Sequence, residues 1–194
     1  MSDNHEQLKQ IAFAIQSLTE KEWSAFSGIW SECSAKRKEQ LTRAGEKEKY
    51  LYFVMEGIQR VYYFDERNRE ATLVFTYAPS FGGVLDSLLM QEPSKYYYET
   101  LTPSRFLRAS YQDLHSLMEE YAAIEKLVRK GVTVSLSGVL DRLVELQCYS
   151  SEERFRKLLN RSPHILQLIP HKYLANYIGI DATNFSKLIN SVRI

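Results

Sequence analysis

The stretch YLYFVMEGIQRVYYFDERNREATLVFTY, at 50–77, is crowded with Tyr, Phe and Val, and turn-forming residues fall at Glu56-Gly57 and again over 65–70. Aromatic and β-branched side chains suit a pleated surface, and Gly, Asp and Asn interrupt it. The pattern therefore predicts strand, turn, strand, turn, strand. Leu73, Phe75 and Tyr77 alternate with Thr72, Val74 and Thr76, as a half-buried strand requires. YAPSFGG then reads as a loop leading to a short helix-like piece that Pro93 breaks, after which KYYYETL and FLRAS resume the strand texture. An antiparallel β domain, a sandwich or roll, is expected for the middle third. Before it, residues 6 to 31 have helical character, with Thr19 and Glu22 at capping-box spacing.

Past Tyr111 the pattern turns helical. Over 121–147 no proline intervenes, and Val132, Leu136, Val139, Leu143 and Leu146 repeat at spacings of 4, 3, 4 and 3. Such a heptad seam pairs two helices, and a helix of this length runs roughly 40 Å. Gly131, Ser135 and Gly138 lie near the seam and permit close backbone approach. A dimer helix is the expectation; the alternative is a helix packed on its own β domain.

Charge and composition exclude more than they assign. The formal net charge is only +1, but from Cys148 onward seven Lys or Arg stand against three acids, a local excess of four. A basic tail on a mildly acidic body suits a polyanion-binding module. Cys33 and Cys148 are far apart and read as reduced thiols of a cytoplasmic protein. MSDNHEQLKQ is no signal peptide, and no run nears the roughly 20 apolar residues of a spanning helix, so no membrane role is expected. Histidines 5, 115, 164 and 171 form no metal pattern, and neither a phosphate loop nor GxSxG is present, so no enzyme activity, metal or cofactor is expected.

SSEERFRKLL opens another helical block, with Ser150 three before Glu153, and Pro163 and Pro170 sit where first turns tolerate proline. In HKYLANYIGIDATNFSKLIN, Leu174 and Ile178 bury one helix, and Ala175 is small where a second must cross. Gly179 stands where a left-handed turn needs no Cβ. Asp181 caps a second helix that buries Phe185 and Leu188. This spacing is that of a helix-turn-helix. Its second helix would enter the major groove with Thr183, Asn184, Ser186 and Lys187, while His171 and Lys172 grip phosphate. Each of these residues also reads as a plain solvated side chain.

The order of parts, a β roll with Gly45 and Gly57, then FGGVL, then a heptad helix, then a helix-turn-helix, resembles the catabolite activator protein and FNR (Crp-Fnr) family of bacterial transcription regulators. The resemblance runs from about Leu18 to Val192. It implies an α+β chain: a cyclic-nucleotide-binding-like jelly roll over 1–120, a dimerising helix over 121–147, and a winged-helix-type DNA-binding domain over 148–194. It also implies a homodimer on double-stranded DNA with half-sites one helical turn apart, and it leaves RNA polymerase open as a further partner.

The sequence departs from the family at the effector pocket. The segment that holds the cyclic nucleotide's ribose reads Phe81-Gly82-Gly83-Val84-Leu85 here, with Val84 in place of the family's Glu, and Ser94 falls where an Arg pairs with the phosphate. Losing a charge-assisted pair removes roughly 1.5–3 kcal/mol per hydrogen bond, so cyclic AMP is not expected in the usual mode. Lys95 and Asp86 are candidate replacements, and Tyr96 and Tyr98 either line a pocket for another small effector or simply fill the roll. The iron–sulfur sensor type needs four thiolates and is excluded by two cysteines. At the reading helix, Ala182 and Thr183 replace the family's frequent Arg and Glu, while Lys187 keeps a later positive charge. The alternative to a DNA-reading regulator is a sensor or interaction protein that keeps the fold without reading DNA.

Overall fold

The computed structural model describes residues 3–191. Val192 and Arg193, the end of the resemblance and one of the seven tail cations, lie outside the described residues, as do Met1 and Ser2. The elements run α1 (Asp3–Ile15), α2 (Glu20–Gly28), β1 (Ser31–Ala35), β2 (Gln40–Thr42), β3 (Tyr50–Glu56), β4 (Ile58–Phe64), β5 (Glu70–Tyr77), β6 (Ser80–Gly82), α3 (Leu85–Met90), β7 (Tyr97–Thr100), β8 (Ser104–Ser110), α4 (Tyr111–Glu120), α5 (Ala122–Cys148), α6 (Ser151–Arg161), α7 (Ile165–Leu168), α8 (His171–Tyr177) and α9 (Ala182–Ser191).

The strands form two four-stranded sheets, ordered β1-β8-β3-β6 and β2-β7-β4-β5. Non-consecutive neighbours in both sheets make this a jelly roll, the architecture expected from the sequence. Phe53 faces Leu107 across the β3–β8 pair, and both are fully buried. They join Trp23, Phe26, Leu88, Leu114 and Ile124 in one apolar core, which fixes helices α2 to α5 against the roll.

Two local expectations are corrected. Part of YAPSFGG is strand rather than loop, because Ser80, Phe81 and Gly82 pair with β3. In β5 the fully buried positions are Thr72 and Thr76, at 1% and 7% exposure, while Tyr77 is 39% exposed. Thr76 can turn inward because its hydroxyl bonds the Gln59 carboxamide at 2.9 Å and Tyr98 Oη at 3.0 Å. A satisfied polar pair there outweighs the alternation of apolar types.

The chain divides into two compact units, one of Met1–Val61 with Phe75–Ser135, the other of Tyr62–Val74 with Leu136–Ile194. The tip of the β4–β5 hairpin thus belongs with the C-terminal helices, a grouping the sequence does not suggest. Among the described residues no strand follows β8, so the wing implied by the resemblance has no counterpart there. Two capping boxes hold helix starts, Thr19 with Glu22 and Ser150 with Glu153.

Candidate nucleic-acid interface and effector pocket

The second unit builds its site on a small apolar core. Phe155, Leu158, Ile165, Ile169, Tyr173, Leu174, Ala175, Ile178 and Phe185 are buried. The Phe155 and Phe185 rings meet edge to face, 5.4 Å apart at 86°. Between α8 and α9 the chain reverses at Gly179, whose φ is +69° and whose missing Cβ would press on Leu146 at 3.1 Å. Ile180 N–H donates to Ala175 O and Gly179 N–H to Asn176 O, the paired bonds of a Schellman turn. Asp181 then caps α9 by accepting from Asn184 N–H at 2.8 Å. That bond holds its carboxyl below the usual carboxylate range. The turn and cap aim α9 with one face inward and the other in water.

On α9 only Phe185 is fully buried, and Leu188, expected in the core, is half-exposed. Thr183, Ser186 and Lys187 are exposed along one stripe, three and four residues apart. Asn184 is exposed too, but its carboxamide Nδ2 donates to Asp181 Oδ2 at 2.6 Å, so it serves the cap first. His171 and Lys172 are exposed at the start of α8, with the His171 ring 5.6 Å from Phe185 and Lys172 Nζ 4.7 Å from the Tyr173 ring. The tail's other cations are largely engaged inside the unit. Arg156 pairs with Glu152, Arg161 with Glu145, and Arg154 donates to backbone carbonyls.

Along α5 the seam residues Leu136, Val139, Leu143 and Leu146 are 55%, 51%, 48% and 36% exposed, and Val132 is half-buried. Val134, Leu140 and Val144 add to the exposed apolar side chains of this helix.

The residues of the predicted effector pocket are placed as follows. Tyr98 is fully buried, its hydroxyl pressed to the place a Cβ on Gly82 would take, and its ring is 5.6 Å from Tyr52. Phe81 packs on Phe53 and Trp30. Ser94 is buried, its hydroxyl accepting from Tyr96 N–H and donating to Tyr96 O. Lys95 and Asp86 are exposed, so the structure brings neither candidate replacement into the roll; Leu85 and Tyr96 are half-buried.

Glu48, which the sequence reading passes over, is the main polar occupant. It is 1% exposed and accepts from Thr42 Oγ1 at 2.5 Å, Lys49 N at 3.0 Å, Tyr50 N at 3.2 Å and Val84 N at 3.2 Å. Burial pushes its carboxyl above the usual range, against the pull of these donors. Burial, with a smaller push from Glu48, also raises the Tyr52 and Tyr98 phenols. In GEKEKY its only signal is a glutamate just before a strand, which reads as a surface charge. An apolar cleft of about 280 Å³ in the first unit is lined by Phe81 and Leu85 of FGGVL together with Ile11, Ile15, Leu89, Val132 and Val134 among others.

Comparison with known proteins agrees with this architecture. Residues 32–121 match the family described as the cyclic nucleotide-binding domain. The fold is similar to FixK2 from Bradyrhizobium japonicum (15% identity, 84% of this chain and 83% of that one, TM-score 0.77). It is also similar to the catabolite activator protein of Thermus thermophilus (21% identity, 90% and 84%, TM-score 0.55). A third likeness is the c-di-GMP-responsive global regulator CLP of Xanthomonas campestris (16% identity, 89% and 90%, TM-score 0.67). No curated protein matches by sequence. The fold is therefore similar to that of these three proteins over most of the chain. Among the described residues no helix is long and apolar enough to cross a membrane.

Proposed function

We propose that this chain is a homodimeric, cytoplasmic, bacterial DNA-binding transcription regulator of the Crp-Fnr type, whose roll does not take cyclic AMP in that family's usual mode. The observation that carries this reading is the exposed stripe Thr183, Ser186 and Lys187 on a helix anchored from behind by Phe185. A helix so held presents the Thr183 hydroxyl, the acceptor lone pairs of Ser186, whose own proton goes to Ala182 O, and one cation to a major groove, while His171 and Lys172 at the start of α8 meet phosphate. Asn184 would have to release Asp181 before it could pair with adenine.

Dimerisation is supported by the exposed seam, since apolar area left in water forgoes roughly 25 cal/mol per Å². Loss of cyclic AMP binding is supported by three features of the pocket. Val84 cannot accept a ribose hydroxyl, the Ser94 hydroxyl is closed on Tyr96, and Glu48 holds the N–H of Val84. With its N–H already given to Glu48, Val84 has no backbone donor left for a cyclic phosphate. A different small effector and RNA polymerase remain as further partners of the proposal.

Selection from a randomised duplex library tests the reading. The expected result is enrichment of two half-sites about one helical turn apart, with no rise in Tm on adding cyclic AMP. Absence of any enriched duplex would refute it.

A second reading, an interaction protein that does not read DNA, draws on the internal pairing of Arg154, Arg156 and Arg161, which leaves a modest basic surface. If a reporter stayed regulated by a chain lacking residues 171–194, this second reading would replace the first.

A further inference from the structure

β5 stands at the end of its sheet, so its outer edge offers backbone N–H and C=O groups to whatever lies beside it. In the second unit that edge is met by two side chains from helices. Asn176, on α8, accepts from Thr72 N–H and donates through Nδ2 to Glu70 O at 2.7 Å. One carboxamide thus makes the two bonds that a neighbouring strand would make. Arg142, on α5, donates through Nη2 to Thr72 O at 3.0 Å and through Nη1 to Leu73 O. Its Nη2 also donates to Tyr177 O, and its guanidinium carbon lies 3.7 Å from the centre of the Tyr177 ring.

We infer that Arg142 and Asn176 are positioning residues for DNA reading: together they clasp the hairpin tip 62–74 to α8 and so set the direction in which α9 leaves the Gly179 turn. The inference rests on the DNA-reading function proposed above. Tyr177 O belongs to the last turn of α8, two residues before Gly179. A group fixing that carbonyl fixes the start of the turn. Three carbonyls from two separate segments converge on one planar fork that also stacks on an aromatic face, a geometry Arg supplies and a Lys ammonium does not. Arg142 is half-buried, and burial lowers its pKa, so the carbonyls and the ring replace the water it loses. Simple packing between the hairpin and α8 would need no such fork.

The full-length chain and duplexes selected by the wild type provide the test. With the spacer between half-sites changed by two base pairs, wild-type affinity should fall about 30-fold or more. In Arg142→Ala, Arg142→Lys and Asn176→Ala that penalty should shrink to about threefold or less, with affinity for a single half-site kept within about threefold. A purely structural role would weaken half-site and full-site binding alike and leave the spacer penalty intact, which would overturn the inference. Amide hydrogen exchange supplies an arm that needs no DNA. The Thr72 amide should exchange at least about tenfold faster in Asn176→Ala, while Phe53, in the roll core, stays unchanged. Unchanged Thr72 exchange would overturn the clasp. Failure of the wild type to select any duplex would refute DNA reading and leave the clasp to be decided by exchange alone.

Discussion

Phe185→Ala is the sharpest stability test of the second unit. Phe185 is fully buried, and it is the one fully buried residue of α9 among the described residues. Removing a buried Phe costs about 3–5 kcal/mol in lost transfer energy and residual cavity. Its edge-to-face contact with Phe155, at 5.4 Å, accounts for about 0.5–1.5 kcal/mol of that. A helix of 10 residues is too short to persist without tertiary contacts, so α9 should fray. Trp23 and Trp30 both lie in the first unit, so tryptophan fluorescence reports that unit, while far-UV circular dichroism also sees the C-terminal helices. In urea, Phe185→Ala should shift the dichroism transition by about 3–5 kcal/mol and leave the fluorescence midpoint in place. Phe155→Ala should do the same, and the double variant should lose about 0.5–1.5 kcal/mol less than the sum of the two. A loss under about 1 kcal/mol for Phe185→Ala would mean that α9 is not held by this core, and the argument from anchoring would fail.

Three further outcomes follow from the same geometry. Leu136→Glu with Leu143→Glu should raise the dimer Kd by about 100-fold or more, equivalent to about 2.7 kcal/mol, in sedimentation equilibrium. An unchanged Kd would remove the seam from the interface. Glu48→Ala leaves four donors facing a space of carboxylate shape, so formate or acetate at about ten times its Kd should restore about 1.4 kcal/mol, about 3–6 °C in Tm, to the variant and nothing to the wild type. No rescue by either anion would deny the site its anion-holding character. Because burial raises the folded pKa of Glu48, its contribution to stability is fully present at acid pH, below the unfolded carboxylate pKa, and is lost as pH rises through the higher folded value. Wild type should therefore lose stability relative to Glu48→Gln as pH rises across that window, measured by urea midpoints; the opposite slope would show the four donors prevailing over desolvation.

Much of the fold was legible because it is written in local patterns. The aromatic strands over 50–77, the proline-free helix over 121–147, both capping boxes and the glycine at 179 depend on neighbours a few residues away. What escaped depends on partners distant in sequence. The inward face of β5 is polar because Gln59 and Tyr98 complete the bonding of Thr76. β6 is a strand only because β3 offers it an edge. Glu48 meets Val84 across 36 residues and Asn176 meets Glu70 across 106, and neither contact leaves a periodic trace. Within α9, spacing named the exposed residues but not the bond that ties Asn184 to Asp181. Beside FGGVL, the buried Glu48 that accepts from Val84 N–H comes from the loop before β3, with no local signal in the sequence.

The most direct test of the central claim, that the exposed stripe of α9 lies along a duplex, is the salt dependence of affinity for a selected duplex with Lys187 intact and replaced. Fluorescence anisotropy from 50 to 200 mM salt should give a linear fall of log affinity with log salt. In Lys187→Ala the slope should be smaller by about one, with weaker binding throughout. Identical slopes and affinities for the two proteins would contradict the account.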